Sequence, residues 1–101
     1  PIYITENGKS CHDEISADGH VHDTERINYI NGYLKGLKKS VLEGTDVAGY
    51  FHWSLMDNFE WAYGYTERFG LTYVDYKTQK RILKDSAYRY NEIIRTNGAD
   101  L

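Results

Sequence analysis

One cysteine, one proline and one methionine in 101 residues exclude several ways of making a small protein. The lone Cys11 cannot form an internal disulfide, so the chain is no disulfide-stapled scaffold, and its usage fits a reducing compartment. A single proline alongside 41% hydrophobic residues argues against disorder. No apolar run approaches the length of a membrane-spanning helix, and no secretory leader pattern is present. An excess of one charge is also missing. Twelve basic and 15 acidic residues give a net −3 with the signs interspersed, so neither nucleic acid nor an anionic membrane is an expected partner. The unpaired Cys11 and the missing leader lead us to expect a cytoplasmic location. The chain opens on Pro1-Ile2-Tyr3, directly in strand composition, and reads as an excerpt of something longer.

Aromatic residues are abundant. Ten Tyr, three Phe and two Trp make up 15% of the chain, and many fall between Tyr50 and Tyr76. Such rings serve equally as an apolar core and as a platform for flat faces such as those of sugars.

The stretch around which the chain is organised is Ile2-Tyr3-Ile4-Thr5-Glu6-Asn7-Gly8. Ile2 to Thr5 are β-branched or aromatic, as in a short buried strand, and Asn7-Gly8 is a turn dipeptide. A carboxylate at the end of such a strand lies at the rim of a sheet, where parallel α/β folds bind ligands. Residues 9–22 follow as a long polar loop. Its Cys11, His12, His20 and His22 do not match the paired spacings of structural zinc sites, and no metal or cofactor is expected. Asp23 is placed to cap a helix whose apolar stripe is Ile27, Ile30, Leu34, Leu37 and Val41. Arg26, Lys35, Lys38 and Lys39 lie off that stripe and read as a solvated face. Gly32 and Gly36 within it suggest close packing, and Gly44 ends it.

Val47 to Trp53 has little polar alternation, as expected of a strand covered on both faces. Strand, helix and strand form a βαβ unit, hence a parallel sheet and an α/β class. A long loop, Ser54 to Gly70, leads to Leu71–Tyr76, which alternates like a strand and can pair with Lys80–Leu83 across a turn. Asp85 or Ser86 then caps a last helix, with Ala87, Tyr90, Ile93 and Ile94 on its apolar side and Asn97-Gly98 as its stop. Two parallel strands this apolar need neighbours on both sides.

Ile4-Thr5-Glu6-Asn7-Gly8, followed by Trp53-Ser54-Leu55-Met56-Asp57-Asn58-Phe59-Glu60-Trp61, resembles glycoside hydrolase family 1. Arg68-Phe69-Gly70-Leu71, Val74-Asp75-Tyr76 and Lys84-Asp85-Ser86 continue the likeness over essentially the whole chain. The resemblance implies a TIM (β/α)8 barrel, a fold of about 250 residues or more, of which residues 1–101 are the C-terminal quarter. Ile2 to Thr5 are then the seventh strand, Asp23 to Glu43 its helix, Val47 to Trp53 the eighth strand, and Asp85 onwards the closing helix.

It further implies a retaining β-glucosidase with Glu6 as the nucleophile, whose carboxylate forms a glycosyl-enzyme ester that water then cleaves. Trp53 would form an aromatic wall under the sugar in the −1 subsite. Glu60 would accept from the O4 and O6 hydroxyls, Trp61 would donate its indole N–H, and Phe69 would line the pocket. An anionic Glu60 repels a phosphate, so the substrates implied are non-phosphorylated β-glucosides or cello-oligosaccharides. The partner implied is the N-terminal remainder of the barrel.

The chain departs from the family pattern in three ways. No Asn-Glu-Pro occurs, so the general acid/base is absent, and the isolated chain is expected to show no turnover. A pairing of Glu6 with Glu60 at the roughly 5–5.5 Å of retaining enzymes runs against the sugar-binding role of Glu60. Tyr63 and Leu83 stand where relatives often carry a small or acidic residue and a proline. Tyr63 bears on the aglycone side, Leu83 on the loop entering the last helix. The alternative from another class is a non-catalytic, aromatic-rich sugar-binding or self-assembling module. Glu6 discriminates, since a binding module has no need of a strand-end carboxylate framed by Thr5 and Asn7.

Overall fold

The computed structural model describes Pro1–Leu101. In chain order it contains β1 (Ile2–Asn7), α1 (Thr24–Leu42), β2 (Val47–His52), one 3-10 turn at Trp61–Tyr63, β3 (Thr72–Val74), β4 (Arg81–Leu83) and α2 (Asp85–Thr96). β1 and β2 pair in parallel, and β3 and β4 form the antiparallel hairpin expected from their alternation. Leu83 is the last residue of that hairpin, opposite Thr72, rather than part of a loop.

The helices follow from their local sequences. Ile30 and Leu34 of the α1 stripe are buried with Leu71 and with Ile93 of α2, and Leu37, Tyr50, Ala87 and Tyr90 pack around them. Each buried side chain of this size contributes about 1.5–3 kcal/mol. α1 ends at Gly44, whose φ of +105° is one that side-chain-bearing residues rarely adopt. α2 ends on Asn97 in the left-handed conformation, with the Gly98 N–H returning to the Ile93 carbonyl.

Five expectations are corrected by packing. Arg26 is not on a solvated face but fully buried. Asp23 precedes α1 without capping it. Its carboxylate accepts instead from the Ser86 N–H at 2.9 Å and the Ser86 hydroxyl, and so caps the start of α2 from another part of the chain. Neither Asp85 nor Ser86 caps α2: Lys84 holds that position, and the Asp85 carboxylate faces His22. Gly32 and Gly36 have open space where a Cβ would stand, so no close packing explains them in this chain. The sheet, too, is covered on one face only: Tyr50 packs among the helices, while Tyr3 and Phe51 are more than half exposed.

The centre of the molecule is ionic. Arg26 reaches Asp13 at 2.9 Å and Asp23 at 2.5 Å, Lys84 reaches Asp13 at 2.6 Å and Asp57 at 2.7 Å, and Arg68 reaches Asp57 at 2.7 Å. Three cations thus meet three carboxylates, all with buried or nearly buried side chains. The remaining valences go to the backbone. Asp57 accepts from the Gly70 and Val74 N–H groups, and Arg26 donates to the carbonyls of Lys9 and Arg68. Burial works to lower the Arg26 pKa, but the adjacent carboxylates of Asp13 and Asp23 outweigh it and the pKa is raised.

Near the surface, His22 lies between Asp85 at 2.6 Å and Asp18 at 2.7 Å, and these two hydrogen bonds raise its pKa to about 9. Its tie between loop and α2 is therefore complete below pH 6.5 and is lost as pH rises through about 9. Replacing His22 by Asn is expected to remove that alkaline loss, seen as a flatter profile of thermal midpoint against pH from 6.5 to 9. Lys84→Met leaves three buried carboxylates facing two cations and is expected to cost about 3–5 kcal/mol. Urea unfolding of the two forms side by side measures it, and a midpoint within error of the parent would contradict the central role of the network.

Candidate active site

Both parallel strands run out on the same side of the sheet, and Glu6 and Trp53 stand at or just beyond their ends. Position along the strand alone does not bring them together, because facing alternates with every residue. Ile4 pairs with Tyr50 and Asn7 with His52, so three steps along β1 match two along β2. This bulge inserts one extra residue into β1. It lets Ile4 and Asn7 both face α1, where they line one groove with Tyr29, Tyr33, Leu37 and Tyr50. Glu6, next to Asn7, is thereby turned to the opposite side. In an unbulged strand Glu6 would share the face of Ile4 and point into the helix layer. β1 is also two residues longer than its composition implies, so Glu6 is a strand residue rather than a loop residue.

Glu6 lines a cleft of about 510 Å³ with Trp53, Glu60, Trp61 and Phe69, bordered by Gly8 and by Asn7 and Tyr29, which also line the groove beside α1. All five residues singled out in the sequence meet in this one cleft, although they are spread over more than sixty positions. Trp53 follows β2 directly, and its N–H donates to the Asn7 carbonyl at 2.9 Å. The Trp53–Ser54 peptide bond is cis. Gly8 is explained by proximity rather than by a turn: a Cβ on it would lie 1.8 Å from the Trp53 carbonyl oxygen.

Glu60 and Trp61 are carried by the turn after β2. The Glu60 N–H donates to the Gly64 carbonyl at 2.7 Å, and the Tyr63 N–H donates back to Glu60 at 2.9 Å. This tight closure sets Trp61 at a φ of 44° with its ring 82% exposed. A large apolar ring held in an uncommon backbone conformation and facing solvent is costly for folding alone, and strain of this kind collects at ligand sites. Phe69 is fixed by its carbonyl, which accepts from the Ser54 N–H at 3.1 Å.

Two groups of residues in the site carried no assigned role in the sequence. The first is Asp57 with Arg68 and Lys84, which lash the loop bearing Glu60 and Trp61 to β3 and α2. These three sit inside the very motifs quoted above, which was the available signal. The second is Tyr29 and Tyr50, which hydrogen-bond the Asn7 carboxamide. Tyr50 was visible in the sequence only as part of the second strand, and Tyr29, off the apolar stripe of the helix, gave no signal. His52, the register partner of Asn7, is half-buried, and both its ring nitrogens are buried without a hydrogen-bond partner. Burial, helped by the charges of Arg26 and Lys84, lowers its pKa to about 4, so the imidazole is neutral at pH 7.

The geometry is thus a carboxylate at a strand end, a second carboxylate across a cleft, and two indoles and a phenyl ring around them. It suits a polyhydroxylated ring with apolar C–H faces. Comparison with known proteins agrees with this chemistry. Residues 1–99 match glycosyl hydrolase family 1. The chain belongs to that family.

Among its family 1 relatives, beta-glucosidase A of Thermotoga maritima is 52% identical over 99 residues, which are 98% of this chain and 22% of that protein. A bifunctional beta-D-glucosidase/beta-D-fucosidase of Bifidobacterium breve is 52% identical over 103 residues, again with 98% of this chain and 22% of the relative covered. The solved family 1 β-glucosidase of Thermotoga maritima superposes with a TM-score of 0.94 at 54% identity, covering 95% of this chain and 22% of that structure. The same enzyme has been solved in complex with noeuromycin and with deoxynojirimycin. The chain therefore spans about a fifth of the length of the family 1 proteins it matches. Its few strands and helices are those of a partial TIM barrel.

Gly8→Ala forces either β1 or the Trp53 backbone to move and is expected to cost about 1–3 kcal/mol. Because the shift falls between Glu6 and Trp53, quenching of the Trp53 fluorescence by acrylamide should rise as well. Unchanged stability and quenching would mean that the close approach is not maintained in solution.

Proposed function

We propose that this chain is the C-terminal part of a retaining β-glucosidase, running from strand seven to helix eight of the barrel. It contributes the nucleophile and part of the sugar pocket. The observation that carries this reading is the convergence of Glu6, Trp53, Glu60, Trp61 and Phe69 on one cleft at the strand ends. Its family membership and the names of its relatives support the same chemistry.

In this reading the Glu6 carboxylate attacks the anomeric carbon, the glycosidic C–O bond breaks, and a glycosyl ester forms on Glu6. The proton for the departing alcohol comes from a general acid in the N-terminal remainder of the barrel. That group then acts as base on the water that cleaves the ester. Trp53 stacks on the sugar C–H face, Glu60 accepts from two hydroxyls, Trp61 donates an indole N–H and Phe69 closes the pocket. Terminal, non-phosphorylated β-glucosides and cello-oligosaccharides are the substrates, because a phosphate would meet the Glu60 carboxylate.

The test uses this chain and a chimera in which it replaces the segment it matches in the Thermotoga maritima beta-glucosidase A. Each is incubated with a 2-deoxy-2-fluoro-β-glucoside bearing a good leaving group, and intact mass is measured. The expected result is one fluoroglucosyl adduct on the Glu6 peptide of the chimera, none in its Glu6→Gln form, and none on the chain alone. A label on a different residue, or an inert chimera beside a parent enzyme that takes the label, would refute the assignment.

A further inference from the structure

The bulge that turns Glu6 into the cleft needs something to hold it, since a regular register would return Glu6 to the helix side. The side chain of Asn7 is that holder's centre. Its Nδ2 donates to the Tyr29 hydroxyl at 3.0 Å, and its Oδ1 accepts from the Tyr50 hydroxyl at 2.9 Å. Tyr29 belongs to α1 and Tyr50 to β2, so one carboxamide ties the bulged end of β1 to both of its packed neighbours. The backbone of the same residue carries the bond from Trp53, 2.9 Å from its carbonyl oxygen. Asn7 thus fixes the residue before it, Glu6, and the backbone of Trp53, which lines the same cleft.

The chemistry of the clamp is matched to its task. An amide offers a donor and an acceptor on two separate atoms, one for each phenol, whereas an ionised carboxylate has no donor and an alkyl chain has neither. Tyr29 also packs against Tyr33, with ring centroids 4.4 Å apart and the planes tilted by 38°, which restrains the ring that carries the receiving hydroxyl. Burial raises the pKa of both Tyr29 and Tyr50, so both phenols stay protonated and the Tyr50 donor persists through the neutral and mildly alkaline range.

We infer that Asn7, Tyr29 and Tyr50 are positioning residues for the Glu6 carboxylate, holding the β1 bulge so that Glu6 faces the cleft. The inference rests on the reading of Glu6 as nucleophile. It assigns to the three residues an effect on the bond-forming step rather than on sugar binding. A misplacement of the attacking carboxylate by about 1 Å is worth up to about a hundredfold in rate.

The experiment measures the rate constant of trapping by the 2-fluoroglucoside, and separately the inactivator's binding constant, in the chimera described above. Asn7→Ala and the double variant Tyr29→Phe/Tyr50→Phe are expected to lower the trapping rate constant by about ten- to a hundredfold, with binding changed far less. Asn7→Asp keeps an acceptor for Tyr50 but sets a negative charge beside Glu6. It is expected to move the acidic limb of the trapping profile to higher pH, which loss of packing alone would not do.

Near-UV circular dichroism establishes the folded fraction, and the double Tyr→Phe variant decides the matter where Asn7→Ala does not fold. Trapping rate constants equal to the parent's, or rate and binding falling together in step with the folded fraction, would overturn the clamp. An unsubstituted chimera that takes no label would overturn the assignment of Glu6 itself.

Discussion

The Asp57 carboxylate, buried between Lys84 and Arg68 and receiving two backbone N–H groups, is the contact on which most of the architecture depends. Through Lys84 it is joined to Asp13, and through Asp13 to Arg26 and Asp23. The network links the loop after β1, the start of α1, the loop after β2, the β3 strand and the start of α2. Its role is location more than net stability. Removing six charges from water costs several kcal/mol for each ion, and the pairing roughly repays that. An apolar cluster of similar size would hold these segments together as well but would tolerate many arrangements. Charges that are ruinous when unpaired tolerate only one.

That rigidity matters because the site is made from loops. Glu60, Trp61 and Phe69 come from a stretch without strands or long helices, and its exposed rings would collapse onto the nearest apolar surface if the chain were free to move. The ionic network anchors the stretch at Asp57 and Arg68, on either side of Glu60 and Trp61 and directly before Phe69. β1 supplies the opposite wall, with its bulge and the Asn7 carboxamide held between two phenols. The cleft is thus bounded on one side by buried charge and on the other by a bulged strand end.

The remaining surface leaves apolar faces uncovered. Tyr3 and Phe51 stand exposed on the uncovered face of the sheet, and the groove beside α1 is lined by Ile4, Tyr29, Tyr33 and Leu37. Both are surfaces that further strands and helices of a barrel would cover, in keeping with a chain that matches about a fifth of its relatives' length.

The sequence by itself determined the elements and the roster of the cleft. Periods of two and of three to four, Gly44 and Asn97-Gly98 as stops, and the alternating run at β3 are local signals, and local geometry obeyed them. Glu6, Trp53, Glu60, Trp61 and Phe69 were legible because their neighbours in the chain form recurrent motifs. Tertiary structure alone decided which way Glu6 faces, since a bulge is a mismatch between two strands and has no signature within one. It decided that Arg26 is buried, because the carboxylates that make burial tolerable lie up to 13 residues away in a loop. It decided that Asp23 caps α2 and not α1, because a side chain serves the nearest unpaired N–H in space. In each case the deciding partner is remote in sequence.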